Sequence, residues 1–143
     1  MTAEANKKLV RRYGHVWHAG NQHLVDELAA PDLVVYYPLF GREVRGHAAF
    51  KQVLTGTHVA FPDVQLVFEE LLAEGDAVVA RWRATATSRG AFAGRPPTGQ
   101  RVEWTGMTLY RIAGGKVIEE RGEEDALGLF RQLGALPVPG ATG

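Results

Sequence analysis

The segment from residue 98 to residue 134 constrains the fold of this chain more than any other. Residues 101–112 have the β-branched and aromatic composition of a strand, a Gly-Gly pair interrupts them, and residues 116–125 can return as a second strand. We therefore predict a β-hairpin followed by a short helix over residues 126–133. The second strand is unusual because it carries five clustered carboxylates: Glu119, Glu120, Glu123, Glu124 and Asp125.

The rest of the chain predicts helices first and long strands later. Apolar residues at helical spacing predict helices over three segments, residues 3–18, 22–30 (with Asn21 as its N-cap) and 47–58. Strand-like composition predicts a small edge hairpin from residues 33–37 and 43–45, and two long antiparallel strands over residues 64–74 and 77–88. Residues 89–99, rich in Gly and Pro, are predicted to form a loop.

This order of elements is typical of an α+β domain in which one curved, mixed but mostly antiparallel sheet wraps around three N-terminal helices. At this length we expect one domain, over residues 1–136, followed by a flexible tail over residues 137–143.

The composition excludes several classes of partner. Sixteen basic and sixteen acidic side chains leave no net charge, so we expect neither nucleic acid nor an anionic membrane as a partner. No apolar run approaches the roughly 18 residues of a membrane span, and the N-terminus lacks the apolar core of a secretory signal, so a cytoplasmic location is expected. The absence of cysteine excludes disulfides and thiolate nucleophiles.

The sequence predicts neither a cofactor nor a metal site. It has no glycine-rich phosphate loop and no nucleotide-binding fingerprint. His15, His18 and His23 lie close together in sequence, but no carboxylate or further histidine is spaced to complete a ligand set.

Six local strings, in order, resemble one family. The chain resembles the SnoaL-like polyketide cyclases, also called ester cyclases, of the nuclear-transport-factor-two-like superfamily, over nearly its whole length. The strings are Phe61-Pro62-Asp63, Ala73-Glu74-Gly75-Asp76, Ala80-Arg81-Trp82, Pro96-Pro97-Thr98-Gly99, Gly114-Gly115-Lys116-Val117-Ile118-Glu119, and Asp125 ahead of Gly128-Leu129 and Gln132-Leu133-Gly134.

The resemblance implies a cone-shaped domain with a pocket between the helices and the concave face of the sheet. It implies a cofactor-free intramolecular aldol ring closure, with Asp125 at the position of the family's general base. The chain departs from the family's common pattern at two places. Val35-Tyr36-Tyr37-Pro38 stands where a histidine and an acidic residue are common, and Glu120-Arg121-Gly122 stands where His-Trp-Asp or His-Trp-Asn is common.

Asp125 has two readings. It directly precedes a predicted helix, where a carboxylate is an ordinary N-cap, and it is also the candidate base. If no bulge interrupts the strand, Glu119 and Glu123 share its face and would raise its pKa, whereas Glu120 and Glu124 point the other way.

Arg81 also has two readings. Together with Arg83 it alternates with apolar residues, which sends both arginines to solvent or to a subunit contact. Alternatively they line the polar concave side and pair with the carboxylates, or Arg81 and Asp125 form part of an arrangement similar to that of the limonene-epoxide-hydrolase type.

The chain has a large supply of aromatic residues, most of which are expected in the core. We place Tyr13, Trp17 and Tyr36 at the mouth of the cone. The other candidate ligand contacts are Phe61, Trp82, Trp104, His58, Glu119 and Arg121.

The sequence thus favours a cofactor-independent enzyme that moves protons on a small hydrophobic or aromatic carbonyl compound, by aldol-type cyclisation or isomerisation. Asp125, Glu123 and Arg81 are its candidate catalytic residues. The alternatives are a non-catalytic small-molecule-binding or dimerisation domain, or a relative that opens epoxides or hydroxylates. One face of the sheet is expected to pack on the helices, and apolar residues on the other, outer face predict a homodimer packed through that face.

Overall fold

The computed structural model describes residues 2–136. Its helices are Ala3–Tyr13 (α1), His23–Leu28 (α2), His47–Ala60 (α3) and Ala126–Gln132 (α4), with short 3-10 helices at Gly14–Trp17 and Pro38–Phe40. Its strands are Ala29–Tyr36 (β1), Val44–Arg45 (β2), Gln65–Glu74 (β3), Ala77–Thr87 (β4), Arg101–Ala113 (β5) and Lys116–Glu124 (β6). The predicted tail over residues 137–143 lies outside the described residues.

The six strands form one sheet in the order β2-β1-β6-β5-β4-β3. All neighbours are antiparallel except β1 and β6, which run parallel. The predicted α+β fold with one curved mixed sheet is therefore confirmed. Even-numbered residues of β4 are buried, as the alternation of that strand predicts: Val78, Ala80, Trp82, Ala84 and Ala86.

Three predicted boundaries near the N-terminus are wrong. The first helix becomes a 3-10 helix at Gly14, where a Cβ atom would lie 2.5 Å from Cζ of Phe68, so the close approach of that ring requires glycine. Asn21 does not cap α2, because its amide donates to the carbonyl of His15 instead. Pro31 does not end a helix but lies inside β1, near the N-terminal end of that strand.

Besides an irregularity of β1 between Ala29 and Val34, two strands contain a bulge of one residue. In β3 the register shifts between Phe68 and Glu70, and in β6 it shifts between Val117 and Glu119, which leaves Ile118 as the extra residue. A bulge adds one residue to one strand of a pair, so the residues beyond it change faces. In β6 this shift decides which carboxylates point to the helices.

Two central glycines make room for aromatic rings on the concave face. A Cβ atom at Gly122 in β6 would lie 2.0 Å from Cε1 of Tyr37, and one at Gly106 in β5 would lie 2.4 Å from Cζ2 of Trp82. These contacts are shorter than packed atoms tolerate. The rings of Tyr37 and Trp82 therefore lie directly on the backbone of the sheet.

Within residues 2–136, no helix has both the length and the apolar character that a bilayer span requires. The cytoplasmic location and the single-domain boundary at residue 136 stay predictions.

The contact at Gly122 generates a stability prediction. Gly122→Ala should lower the free energy of unfolding by roughly 1–3 kcal/mol, because the added methyl group overpacks the Tyr37 ring against the sheet. Gly56→Ala is the control. It lies inside α3 with no heavy atom within 4 Å of the added Cβ, so it should raise stability by about 0.5–1 kcal/mol. Urea unfolding measures both, and equal effects would contradict the packing argument.

Candidate active site

A cavity of about 370 Å³ lies between the concave face of the sheet, α3 and the loop that follows β4. Its walls are mainly aromatic and aliphatic, and they include Trp17, Tyr37, Phe40, Phe61, Leu66, Trp82, Phe92, Trp104 and Leu129. Phe92 closes part of the wall by stacking on Phe130 and by contacting Phe61 at a centroid distance of 5.0 Å. A cavity of this size and lining suits a small hydrophobic ligand.

Glu124 is the charged group in this wall. It lies at the end of β6, and its Oε2 accepts a hydrogen bond of 3.2 Å from the indole N–H of Trp104. Burial raises the pKa of Glu124 to about 7, and the charge of Glu123 adds to this rise, while the Trp104 hydrogen bond opposes it. A carboxyl group with a pKa near neutrality, beside an apolar cavity, is suited to accept and return a proton.

Glu120 lies behind the wall and is completely buried. Its Oε2 accepts hydrogen bonds from the Tyr37 hydroxyl at 2.6 Å and from the Trp17 indole N–H at 3.0 Å. Burial raises the pKa of Glu120 to about 7, against the opposing effect of hydrogen bonds from Tyr37, Trp17 and Tyr13. The Tyr13 interaction is loose, because neither the Tyr13 hydroxyl nor Glu120 Oε1 makes a hydrogen bond of good geometry.

The network continues from Tyr37 across the sheet. The Tyr37 hydroxyl lies 2.8 Å from Oγ1 of Thr108, and that oxygen accepts a 3.0 Å hydrogen bond from the indole N–H of Trp82. All three tryptophans of the chain thus line the cavity, and each donates its N–H to a polar side chain: Glu120, Thr108 or Glu124.

The predicted base, Asp125, does not line the cavity. It is exposed, and its Oδ1 accepts a 2.9 Å hydrogen bond from the backbone N–H of Gly128, so it is the N-cap of α4. Glu123 and Arg81 lie on the outer face of the sheet, where both are paired in register with Met107. The structure therefore does not bring the three predicted catalytic residues together at the cavity.

Three other predicted ligand contacts, Glu119, Arg121 and Tyr36, also lie outside the cavity. They are on the outer face of the sheet. Glu119 pairs with Arg121, whose guanidinium also binds Glu43 at 2.5 Å, and Tyr36 borders a shallow outer depression with Arg121 and Glu123. An Asp-Arg arrangement like that of the epoxide hydrolases is not assembled, because Arg81 and Asp125 both lie away from the cavity.

The predicted aromatic contacts divide into two groups. Trp17, Phe61, Trp82 and Trp104 line the cavity. Tyr13 does not, because it is fully buried in the core and packs edge-on against Tyr110. His58 lies behind the wall, where its Nε2 donates to the Trp17 carbonyl at 2.8 Å.

The bulge at Ile118 explains why the carboxylates that strand parity predicts on the inner face lie on the outer face. Val117 is buried, so an unbroken strand would point Glu119 and Glu123 inward with it. Because Ile118 is an extra residue, Glu120, Gly122 and Glu124 face inward instead. The adjacent apolar pair Val117-Ile118 is the local signal that marks this bulge, and it is a weak one because residues 119–124 contain no apolar side chain that would show which face is buried.

His15 and His18 do not form a metal centre with His23. The Nδ1 atoms of His15 and His18 lie 3.3 Å apart, and Nε2 of His18 accepts a hydrogen bond from the backbone N–H of Leu66. Residues 2–136 contain no cluster of three or more histidine or carboxylate groups arranged to hold a metal ion.

The buried Glu120 generates a prediction about pH. A glutamate ionises near pH 4.5 in the unfolded chain but near pH 7 in the folded protein, so the native state holds the proton longer and stability falls as the pH rises between these values. Glu120→Gln removes this dependence. The variant should match the wild type near pH 4.5 and exceed its free energy of unfolding by up to about 3 kcal/mol at pH 8.

Urea unfolding at both pH values measures this difference, in which the similar contribution of Glu124 cancels. A gap between the two proteins that stays constant with pH would show that Glu120 does not titrate in this range.

Comparison with known proteins places the chain in one family. The family model described as SnoaL-like polyketide cyclase matches residues 7–133. Two curated relatives are the aklanonic acid methyl ester cyclases DauD of Streptomyces sp. (strain C5) and DnrD of Streptomyces peucetius. They are 30% and 31% identical over 133 residues, which is 88% of this chain and 80% and 88% of the relatives.

Solved structures agree with this assignment. AclR of Streptomyces galilaeus, a proposed hydroxylase, is 33% identical, with a TM-score of 0.84 over 96% of this chain and 89% of its own. A proposed SnoaL-like polyketide cyclase from Jannaschia sp. CCS1 is 29% identical, with a TM-score of 0.85 over 94% and 95% of the two chains. The aromatic cavity with its inward carboxylate thus lies in a chain that belongs to the SnoaL-like polyketide cyclase family.

Proposed function

We propose that this protein catalyses an intramolecular aldol-type ring closure, or a related isomerisation, on a neutral polyketide-like carbonyl compound bound in the cavity. Glu124 is its general base. The observation that carries this proposal is the position of Glu124, which is the only ionisable acid or base, apart from the phenol of Tyr37, among the described residues that line the cavity.

The reaction needs one group that takes and returns a proton. Glu124 removes a proton from the carbon next to a carbonyl, and the resulting enolate carbon bonds to a second carbonyl carbon of the same molecule. The alkoxide formed there takes the proton back from Glu124, so atoms and charge balance without an oxidant. The pKa of about 7 suits both steps, because the carboxylate is available near neutral pH and its acid form gives up the proton readily.

The lining favours an uncharged ligand. No lysine, arginine or histidine occurs among the described residues of the cavity wall, and Glu124 contributes negative charge. A ligand carboxylate would lose its hydration there without gaining a cationic partner. An ester fits this environment, and the two curated relatives carry a methyl ester in their names.

A hydroxylase-type reaction is the second candidate, because AclR, at 33% identity, is a proposed hydroxylase. Ligand binding without chemistry is the third. The assay below separates these three, since ring closure leaves the mass of the substrate unchanged, hydroxylation adds oxygen, and binding alone yields no product.

The central test is Glu124→Gln with aklanonic acid methyl ester as the trial substrate. The variant keeps an oxygen that accepts from Trp104 but cannot take the proton, so turnover should fall by about 10²–10⁴-fold. Binding, followed by quenching of tryptophan fluorescence, should stay within a few-fold. Product is measured by liquid chromatography with mass detection.

Asp125→Asn and Glu74→Gln are the matched controls. Asparagine caps a helix about as well as aspartate, and Glu74 is exposed at the end of β3, so neither change should alter turnover or stability appreciably. If Asp125→Asn abolishes turnover while Glu124→Gln retains it, the base is Asp125 and the proposal for Glu124 is wrong.

We also propose that the protein is a homodimer packed through the outer face of the sheet. That face exposes Val67, Leu72 and Met107, each more than half accessible, and exposed apolar patches of this kind mark interfaces. Light scattering at about 50 μM should give twice the chain mass, since a standard-sized interface holds at that concentration. Leu72→Arg should yield monomer, whereas Leu127→Arg on α4 should remain a dimer. A monomeric wild type would contradict the proposal.

A further inference from the structure

Glu120 connects two parts of the cavity wall that come from distant segments of the chain. Trp17 belongs to the 3-10 helix after α1, and Tyr37 follows β1, yet both donate to the same oxygen of Glu120 in β6. The two rings meet edge to face at 5.7 Å. The wall at this point is therefore held by one buried acceptor.

The same acceptor reaches a third ring through Thr108. Because the Tyr37 hydroxyl donates to Glu120, it can accept the hydroxyl proton of Thr108, and Oγ1 of Thr108 in turn accepts from Trp82. The direction of each hydrogen bond is consistent with the next. A change at Glu120 thus affects three aromatic rings that face the ligand space.

The charge around Glu120 argues that its role is not stability. Its neighbours are neutral groups, namely Trp17 and the tyrosines Tyr13, Tyr37 and Tyr110, and no cation within residues 2–136 pairs with it. A buried carboxyl group without a cation is costly, and apolar side chains usually fill such a place more favourably. What Glu120 supplies instead is a fixed direction for the donors that surround it.

We propose that Glu120 is a positioning residue, which fixes Trp17 and Tyr37 from behind the cavity wall and so selects the shape of ligand that the cavity accepts. It does not itself contact the ligand. The inference rests on the proposed function only in taking this cavity as the ligand site.

The three tryptophans provide a direct test, because each indole N–H has a different acceptor. In ¹⁵N-labelled protein they give three indole resonances, and Trp17→Phe and Trp104→Phe assign two of them. Glu120→Leu removes the acceptor, so the Trp17 resonance should shift upfield and exchange faster with water. The Trp104 resonance, bonded to Glu124, should not move. Glu120→Gln keeps an acceptor oxygen and should preserve the Trp17 resonance.

Ligand selection is the second readout. With aklanonic acid methyl ester, Glu120→Leu should raise KM about tenfold, the equivalent of one lost hydrogen bond in positioning, with a smaller change in kcat. Glu120→Gln should restore KM to within about twofold of the wild type, and Glu74→Gln should leave it unchanged. A purely structural role would lower the amount of folded enzyme and leave KM as it is.

A pH titration keeps the test decisive even if Glu120→Leu fails to fold. In the wild type the Trp17 resonance should titrate as Glu120 ionises, and in Glu120→Gln that titration should vanish while Trp104 still reports Glu124. The proposal is overturned if Trp17 titrates equally in both proteins, or if Glu120→Leu folds with Trp17 and KM unchanged.

The resonances are recorded without ligand, so they test Glu120 independently of the reaction. If the wild type does not convert the ester but Glu120→Leu alters the Trp17 signal, the proposed function is refuted and the positioning role stays intact. If the wild type converts the ester but Glu120→Leu leaves the Trp17 signal unaffected, the positioning role is refuted and the proposed function stays intact.

Discussion

The parallel pairing of β1 with β6 is the constraint on which the candidate site depends. It joins the N-terminal third of the chain to the C-terminal hairpin and places Val35 beside Glu120. Tyr37 follows two residues later and thereby reaches the concave face, where its hydroxyl meets Glu120 and Thr108. Without this pairing the Tyr37 hydroxyl would not reach Glu120 or Thr108. The ligand space is a product of tertiary structure rather than of any one motif.

The fold could be predicted because its signals are local and repeated. The β4 alternation, the Gly114-Gly115 turn and the helical spacing of α1 and α3 each fix an element within a few residues. The errors fall where a local preference is overridden by a contact made elsewhere. Pro31 enters a strand, and Gly14 tightens a helix to receive Phe68. Neither the strand position of Pro31 nor the contact of Gly14 with Phe68 can be predicted from the neighbouring residues in the sequence.

The candidate site could be predicted only in part, for a specific reason. Trp17, Phe61, Trp82 and Trp104 line the cavity, as large aromatic residues on a concave face are expected to do, and their role in ligand binding stays a prediction. The family resemblance points to Asp125 as the base, and strand parity places Glu119 and Glu123 on its face, but parity is lost when one residue is inserted. With a bulge at Ile118, the opposite set of β6 carboxylates faces the helices. Composition shows that acids are present in this strand, whereas only backbone geometry shows which of them point toward the cavity.

The bulge at Ile118 also bears on how such a protein can diverge. Removing Ile118 itself would delete the bulge but keep the register beyond it, because Glu119 already pairs with Arg111 and Glu120 with Tyr110, so Glu120 and Glu124 would still face inward. The hairpin turn before it and the helix after it would keep their own sequences. A one-residue deletion between Glu120 and Glu123, by contrast, would reverse the faces of the residues after it and turn Glu123 inward in place of Glu124, which gives relatives of similar composition a different acid in the same cavity. Alignments across this point should be anchored on Gly122 rather than on the run of glutamates. The Tyr37 ring occupies the space that a side chain at Gly122 would need, so only glycine fits there.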